Sequence, residues 1–419
     1  MQLTSDTMSQ RYFFFIATAL FLLWFVPTAN VQAQCTSVAN GSWGDAATWN
    51  SCGGGIPGST DGVVIDGETV TVNSNQNAAS VTITNSGGLQ VFDFNTLTVD
   101  GDVSTSGSGG IILDNSGGFS DAPAPGTLEI GGDFTSNADF LQTEAGDGDG
   151  PGEIIFNGNT GTGSPQVVSG VLTGSNALGD VSLTGDDTAV SFEDDFDVRK
   201  QLQVGESGGT SPTLTLNSNL SSRGTIENHG TFAGGSGRLT VETPTTVSGS
   251  ADVTIGQYIG KSSLIISTSL TVNSIFDQRS GSVEVQSPGT LSLSFDSEFA
   301  GDLIVNGTIN PNDNAVIFDG GTTQAITGNA VSFDPLTVQN GSTLQPSVPL
   351  TVNGDLTVNN GSTLDLQTNG VALTLGGTSS IGGAGTKSIA DLTIATGADV
   401  DSPDGLNLSG DLTVNGSLD

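Results

Sequence analysis

Basic residues are scarce in this chain. Eight Lys and Arg stand against 44 Asp and Glu in 419 residues, a formal net charge of −36. A surface of that sign repels nucleic acid, anionic lipid and polyuronates, which excludes partners read through their phosphates or carboxylates. Histidine is reduced to His229 and cysteine to Cys35 and Cys52, so neither a His pair nor a thiol quartet exists to hold zinc. The tyrosines are Tyr12 and Tyr258, few for an aromatic sugar-binding platform. No Gly-rich loop closes on Lys followed by Ser or Thr, as a phosphate cradle requires. Helical periodicity is missing beyond residue 33, and so is any apolar run of the roughly 20 residues that span a bilayer.

What is present begins with an export leader. Arg11 supplies a positive flank, Tyr12 to Val26 is a charge-free apolar stretch, and Val31-Gln32-Ala33 fits the small-x-small pattern of a cleavage site. Residues 1–33 are accordingly expected to be removed, and no membrane insertion is expected afterwards. Asp accounts for 34 of the acids, and Asp favours turns over helices. The acidity has two readings, adaptation to strong salt or calcium-dependent stacking. Cys35 and Cys52 both follow the cleavage site, and in an exported chain they are expected to pair.

The rest of the chain is short apolar–polar–apolar triplets between turn formers. Leu97-Thr98-Val99, Leu128-Glu129-Ile130, Leu202-Gln203-Val204, Leu214-Thr215-Leu216 and Leu239-Thr240-Val241 are examples. Period two places the outer two side chains inward and the middle one outward. Gly-Asp opens strands at Gly101, Gly132, Gly179, Gly301, Gly354 and Gly410, and Gly354-Asp355-Leu356-Thr357-Val358-Asn359 returns 56 residues later as Gly410-Asp411-Leu412-Thr413-Val414-Asn415. An internal repeat of alternating residues implies stacked strands. With coils of 18 to 20 residues, each repeat would hold three. The fold expected is all-β, a single-stranded parallel β-helix (β-solenoid), right-handed and three-sided. Residues 34–85 form a disulfide-bearing N-terminal cap with Trp43 and Trp49, and residues 86–419 the solenoid. Asp419 falls in mid-repeat, so the chain reads as part of a longer surface protein.

Ser42-Trp43-Gly44-Asp45-Ala46-Ala47-Thr48-Trp49, followed by Gly53-Gly54-Gly55-Ile56-Pro57 and Gly62-Val63-Val64-Ile65-Asp66-Gly67, resembles the opening of many secreted surface proteins of the Bacteroidetes, and is similar to the eight-glycine extracellular domain. The Leu-Thr-Val-x-Gly-Asp-Leu repeats resemble the β-helical stalks of the same proteins. This resemblance implies secretion or cell-surface display.

Three constellations could carry chemistry. Asp194 and Asp195 with His229 could serve as acid and base if they met in a groove, though the Arg-x-Lys pair of polygalacturonate-cutting β-helices is missing. The competing reading of His229 is a turn residue on a coil corner. Asp147 and Asp149, flanked by Glu144 and Glu153, offer the hard oxygens and glycine turns that calcium favours, or form a solvated acidic loop. Thr98, Thr337, Thr351, Thr357, Thr393 and Thr413 should face outward in rows, and Asn353, Asn359, Asn407 and Asn415 could stack as amide ladders. The function expected is a structural or adhesive segment of a bacterial cell-surface protein, without catalysis and without a cofactor other than the candidate calcium. Its partners would be surface glycans or other surface proteins. The alternative is a carbohydrate-active enzyme or carbohydrate-binding module on the same fold.

Overall fold

The computed structural model describes residues 34–419 apart from 54, 93, 114–125, 143–151, 159–163, 186–187, 210 and 402–405; of 138–142 only the backbone is described. Gln34–Asp419 is a parallel β-solenoid. Because successive coils bond to one another, the solenoid strands find their hydrogen-bond partners about one turn away in sequence.

Strand pairing runs in three parallel ladders. The first climbs from Gln34–Ser37 through Gly62–Asp66, Ser80–Thr84 and Ala189–Phe192 to Thr308–Asn310. The second includes Thr69–Val72, Phe276–Gln278, Ser297–Phe299 and Leu356–Val358. The third includes Thr96–Val99, Glu153–Phe156, Thr225–Asn228 and Leu303–Val305. Strands obey the inward–outward alternation at almost every rung, with Leu214, Leu216, Leu336, Val338, Leu356 and Val358 wholly buried.

The 56-residue repeat does not contain a whole number of coils, contrary to the expected three. Leu303 lies on the third ladder, Leu356 on the second, and Leu412 on a sheet of five strands that starts at Val331–Phe333 and takes over the first ladder's place in the coil order. The same Gly-Asp-Leu signature therefore occupies a different ladder each time it appears. Each ladder asks for the same thing, an inward-facing apolar pair and a turn, so the unit that repeats is one strand with its corner.

Aspartate ties the corners together. The Asp102 carboxylate accepts the backbone N–H of Asp133 at 2.9 Å, and Asp133 accepts that of Val167 at 2.8 Å. Asp296 does the same for Ala315, Asp302 for Ala325, Asp355 for Ser380 and Asp391 for Asp411, at 2.7 to 2.9 Å. Each corner carboxylate thus satisfies an N–H of the coil above, a job for the short Asp side chain and one reason Asp outnumbers Glu here.

Inside, aromatic rings stack from coil to coil. Tyr258, Phe276, Phe299 and Phe318 lie with successive centroids 4.5, 5.0 and 5.6 Å apart. Phe192 and Phe196, both wholly buried, stack at 3.9 Å. Two of the polar groups turned inward are paired: the Tyr258 hydroxyl donates to Gln278 Oε1 at 2.7 Å, and the inward Lys387 donates to the carbonyls of Gly383 and Gly385. Burial pushes the pKa of that ammonium down.

At the N-terminal end the chain does something different. Gln34–Ser37 pairs antiparallel with Trp49–Asn50 before joining the first ladder, and Cys35 and Cys52 are disulfide-bonded. Trp43 and Trp49 meet edge to face at 5.2 Å, and the Trp49 indole N–H donates to the Trp43 carbonyl. The glycines that open corners are required by contact: at Gly109 a Cβ would lie 2.0 Å from the Gly87 carbonyl one coil below.

Candidate functional site

The sequence candidates fall in separate places. Asp194 and Asp195 form the corner between Ala189–Phe192 on the first ladder and Phe196–Val198 on the second. His229 forms the corner between Thr225–Asn228 on the third and Thr231–Gly234 on the first. Asp194 Oδ2 accepts the Gly170 N–H at 2.8 Å, and Asp195 accepts both the backbone N–H and the side-chain amide of Asn219 at 2.9 Å. Both carboxylates are thus engaged with neighbouring coils, and the structure does not bring them together with the imidazole.

His229 is held instead between Glu227 Oε1 and Ser250 Oγ, each 2.9 Å away. The Ser250 backbone N–H also donates to Nδ1, at 3.2 Å, which makes Nδ1 the acceptor and Nε2 the donor to Glu227. The ring ties its own corner to that of the next coil.

Of the candidate calcium ligands, Glu144, Asp147 and Asp149 lie outside the described residues. Glu153 faces outward from the third ladder, accepts the Ser182 hydroxyl at 2.7 Å, and stands in register beside Asp180. Burial raises the Asp180 pKa to about 6, with Lys200 opposing and Glu153 reinforcing that shift. Among the described residues no group of three or more His, Cys, Asp or Glu side chains is placed to hold a metal ion.

The outward threonines form rows. Ser332, Thr351, Thr374, Thr393 and Thr413 stack in register over five coils, and Thr337 stacks on Thr357. Thr82, Ser104, Thr135 and Ser169 form a similar row near the other end, with hydroxyl pairs at 3.4 and 3.2 Å. Of the candidate amide ladders, Asn359 reaches Gln339 on the coil below at 3.5 Å, whereas Asn353 donates to the Ser332 hydroxyl at 3.0 Å.

One feature was missed at the sequence level. Among the described residues, Thr308–Asn310 pairs downward with Thr290–Leu293 and has no partner above, while Val331–Phe333 pairs only upward with Leu350–Val352. The corner ladder is interrupted at the same height. The position that holds Asp296 in one coil and Asp355 three coils later is filled by Ala315 and Pro335 in the two coils between them. Proline has no N–H to offer, and the alanine below it has no carboxylate to accept one. Asn312 and Asp313 take left-handed backbone conformations, with φ of 51° and 60°. Between the two unpaired strands opens a cavity of about 200 Å³ lined by Ile309, Pro311, Asp313, Ser332, Asp334 and Asn353, among others. Burial, followed by the neighbouring Asp313 and Asp355, raises the Asp334 pKa. The signal in the sequence was Asn310-Pro311-Asn312-Asp313-Asn314, a corner of unusual length and composition.

The chain matches no protein-family model, no curated protein and no solved structure. No helix among the described residues is long and apolar enough to cross a membrane.

Proposed function

We propose that this chain is an exported, structural or adhesive rod of a bacterial cell surface, acting by display and contact without catalysis. The observation that carries the reading is the in-register outward row Ser332–Thr351–Thr374–Thr393–Thr413, with its counterpart Thr82–Ser104–Thr135–Ser169 near the other end. A stacked row presents one small polar group over and over at the strand spacing, about 4.8 Å, and repeated weak contacts add through effective concentration. The leader-like residues 1–33, the paired cysteines and the opening motif similar to that of Bacteroidetes surface proteins support export. The resemblance also suggests surface glycans or other surface proteins as partners.

The reading is tested by expressing the full chain in a bacterium and measuring the mass of the product outside the cytoplasm. An N-terminus at Gln34 with Cys35 and Cys52 oxidised is expected; a cytoplasmic product retaining residues 1–33 would overturn export. A second reading, a carbohydrate-binding module, is favoured by the cavity between Thr308–Asn310 and Val331–Phe333.

A further inference from the structure

The solenoid departs from its own construction rule in three ways at one height. The first ladder loses a pairing between Thr308–Asn310 and Val331–Phe333, the aspartate corner ladder is interrupted at Ala315 and Pro335, and two consecutive residues, Asn312 and Asp313, adopt left-handed backbone. A sequence that follows its folding rules almost everywhere and breaks several together is marking a functional place.

The chemistry of the cavity narrows the ligand. No donor among the described residues hydrogen-bonds to the carboxylates of Asp313 or Asp334, two residues that line the space. Asn353 has spent its amide N–H on Ser332 and keeps its carbonyl oxygen. The half-buried Ile309 and Pro311 supply an apolar wall. Acceptors for hydroxyl donors beside an apolar wall suit a pyranose ring, whose hydroxyls are donors and whose C–H face is apolar. A volume near 200 Å³ holds one ring and not a chain. Anionic sugars are excluded by the two carboxylates and the net charge.

We propose that the cavity at the break in the first ladder binds one neutral pyranose unit of a glycan, with Asp313 and Asp334 accepting its hydroxyls and Ile309 and Pro311 lying against its C–H face. This assignment rests on the surface-contact reading above and gives it a specific site.

The test is ligand-observed saturation-transfer NMR on the full chain, in buffer containing EDTA, with the methyl glycosides of glucose, galactose and mannose. Saturable transfer to at least one glycoside is expected, with affinity falling about tenfold in Asp334→Asn, the effect of losing one charge-assisted hydrogen bond. Asp313→Asn, at an exposed position, should weaken binding as well with the circular dichroism unchanged. Transfer to none of the three glycosides, or transfer in both variants equal to that of the unaltered chain, would overturn the proposal. So would binding that appears only when calcium replaces EDTA, since that would make the carboxylates cation ligands. A chain that is trimmed to Gln34 and exported but shows no transfer defeats the pocket assignment alone, whereas an untrimmed cytoplasmic chain that binds glycosides defeats the surface reading and leaves the pocket standing.

Discussion

From Val103 to Phe134 on the first ladder the chain spends 31 residues on one coil, and from Phe134 to Val168 it spends 34. From Val253 to Leu270 it spends 17, and one coil separates Leu336 from Leu356 after 20. Strand length is not the cause: both regions use triplets such as Leu128-Glu129-Ile130 and Leu270-Thr271-Val272, buried at the outer two positions. The difference in length arises between Leu113 and Thr127 and between Gln142 and Glu153, which end and begin described strands. A coil tolerates insertion at its corners because loop closure grows only slowly with length, whereas one residue inserted in a strand would turn its apolar pair outward. The two regions also pack differently. In the wide coils Phe134 meets Phe156 at a tilted 6.2 Å, while in the narrow coils Phe299 lies between Phe276 and Phe318 at 5.0 and 5.6 Å.

The largest effect that could break this comparison is truncation of those rings. Both are wholly buried, and Phe→Ala in a core costs about 3–5 kcal/mol. Phe299→Ala should sit at the top of that range, because its ring touches one above and one below, and Phe134→Ala nearer the bottom. Hydrogen exchange of amides in the flanking strands would read each loss locally. Equal losses would mean that ring stacking adds nothing to simple burial.

Next in size is the disulfide. Replacing Cys35 and Cys52 by Ser opens a closure of 17 residues and should cost about 3 kcal/mol in the chain-entropy description. Because a solenoid is stabilised by nearest-neighbour contacts, the loss of protection should stay within the first few coils. Protection lost as far as Leu356 would show that the whole rod unfolds as one unit.

A smaller effect with a definite sign comes from Asp180. Its folded pKa of about 6 lies above the ordinary aspartate value of 3.8, so between these values the folded chain holds a proton that the unfolded chain has released. The contribution is fully present below about pH 3.8 and is lost as pH rises through about 6. Asp180→Asn should therefore stabilise the wide coils at pH 8 by about 1–2 kcal/mol, a figure reduced for partial solvent exposure, and should confer no advantage at pH 3.5. Urea unfolding at the two pH values measures it; a gain that is the same at both would show that titration is not involved.

The smallest expected effect is at the corners. Asp302→Ala and Asp355→Ala each leave a backbone N–H, of Ala325 or Ser380, without its carboxylate, at about 1 kcal/mol. Asp102→Ala should lose the same in the wide coils, since the Asp102 bond to Asp133 has the same geometry. A markedly larger loss in one region would show that its corners, and not its strands, hold the coils in register.

The solenoid was legible because period-two alternation and Gly-Asp punctuation are local, and stacked coils need little else. Leu356-Thr357-Val358 could be read as a strand with Thr357 outward from three letters. What could not be read was which strand stacks on which. Gly354-Asp355-Leu356 and Gly410-Asp411-Leu412 are identical in text and lie on different ladders, since ladder assignment depends on the summed length of all the corners between. For the same reason Asp194-Asp195 and His229 looked close enough to cooperate and proved to occupy different corners. The cavity was hidden because it arises from a pairing that fails between Asn310 and Val331, and its one trace in the text, the corner Asn310-Pro311-Asn312-Asp313-Asn314, reads like any other turn.

The central claim is that this rod works by contact and not by chemistry. Its most direct test is to incubate the full chain with a broad panel of polysaccharides, in high salt with calcium, and to measure new reducing ends. The account predicts none from any substrate with a folded protein. Release of reducing ends that disappears in a variant carrying Asp194→Asn and Asp195→Asn, or in His229→Ala, would contradict it and make the chain an enzyme.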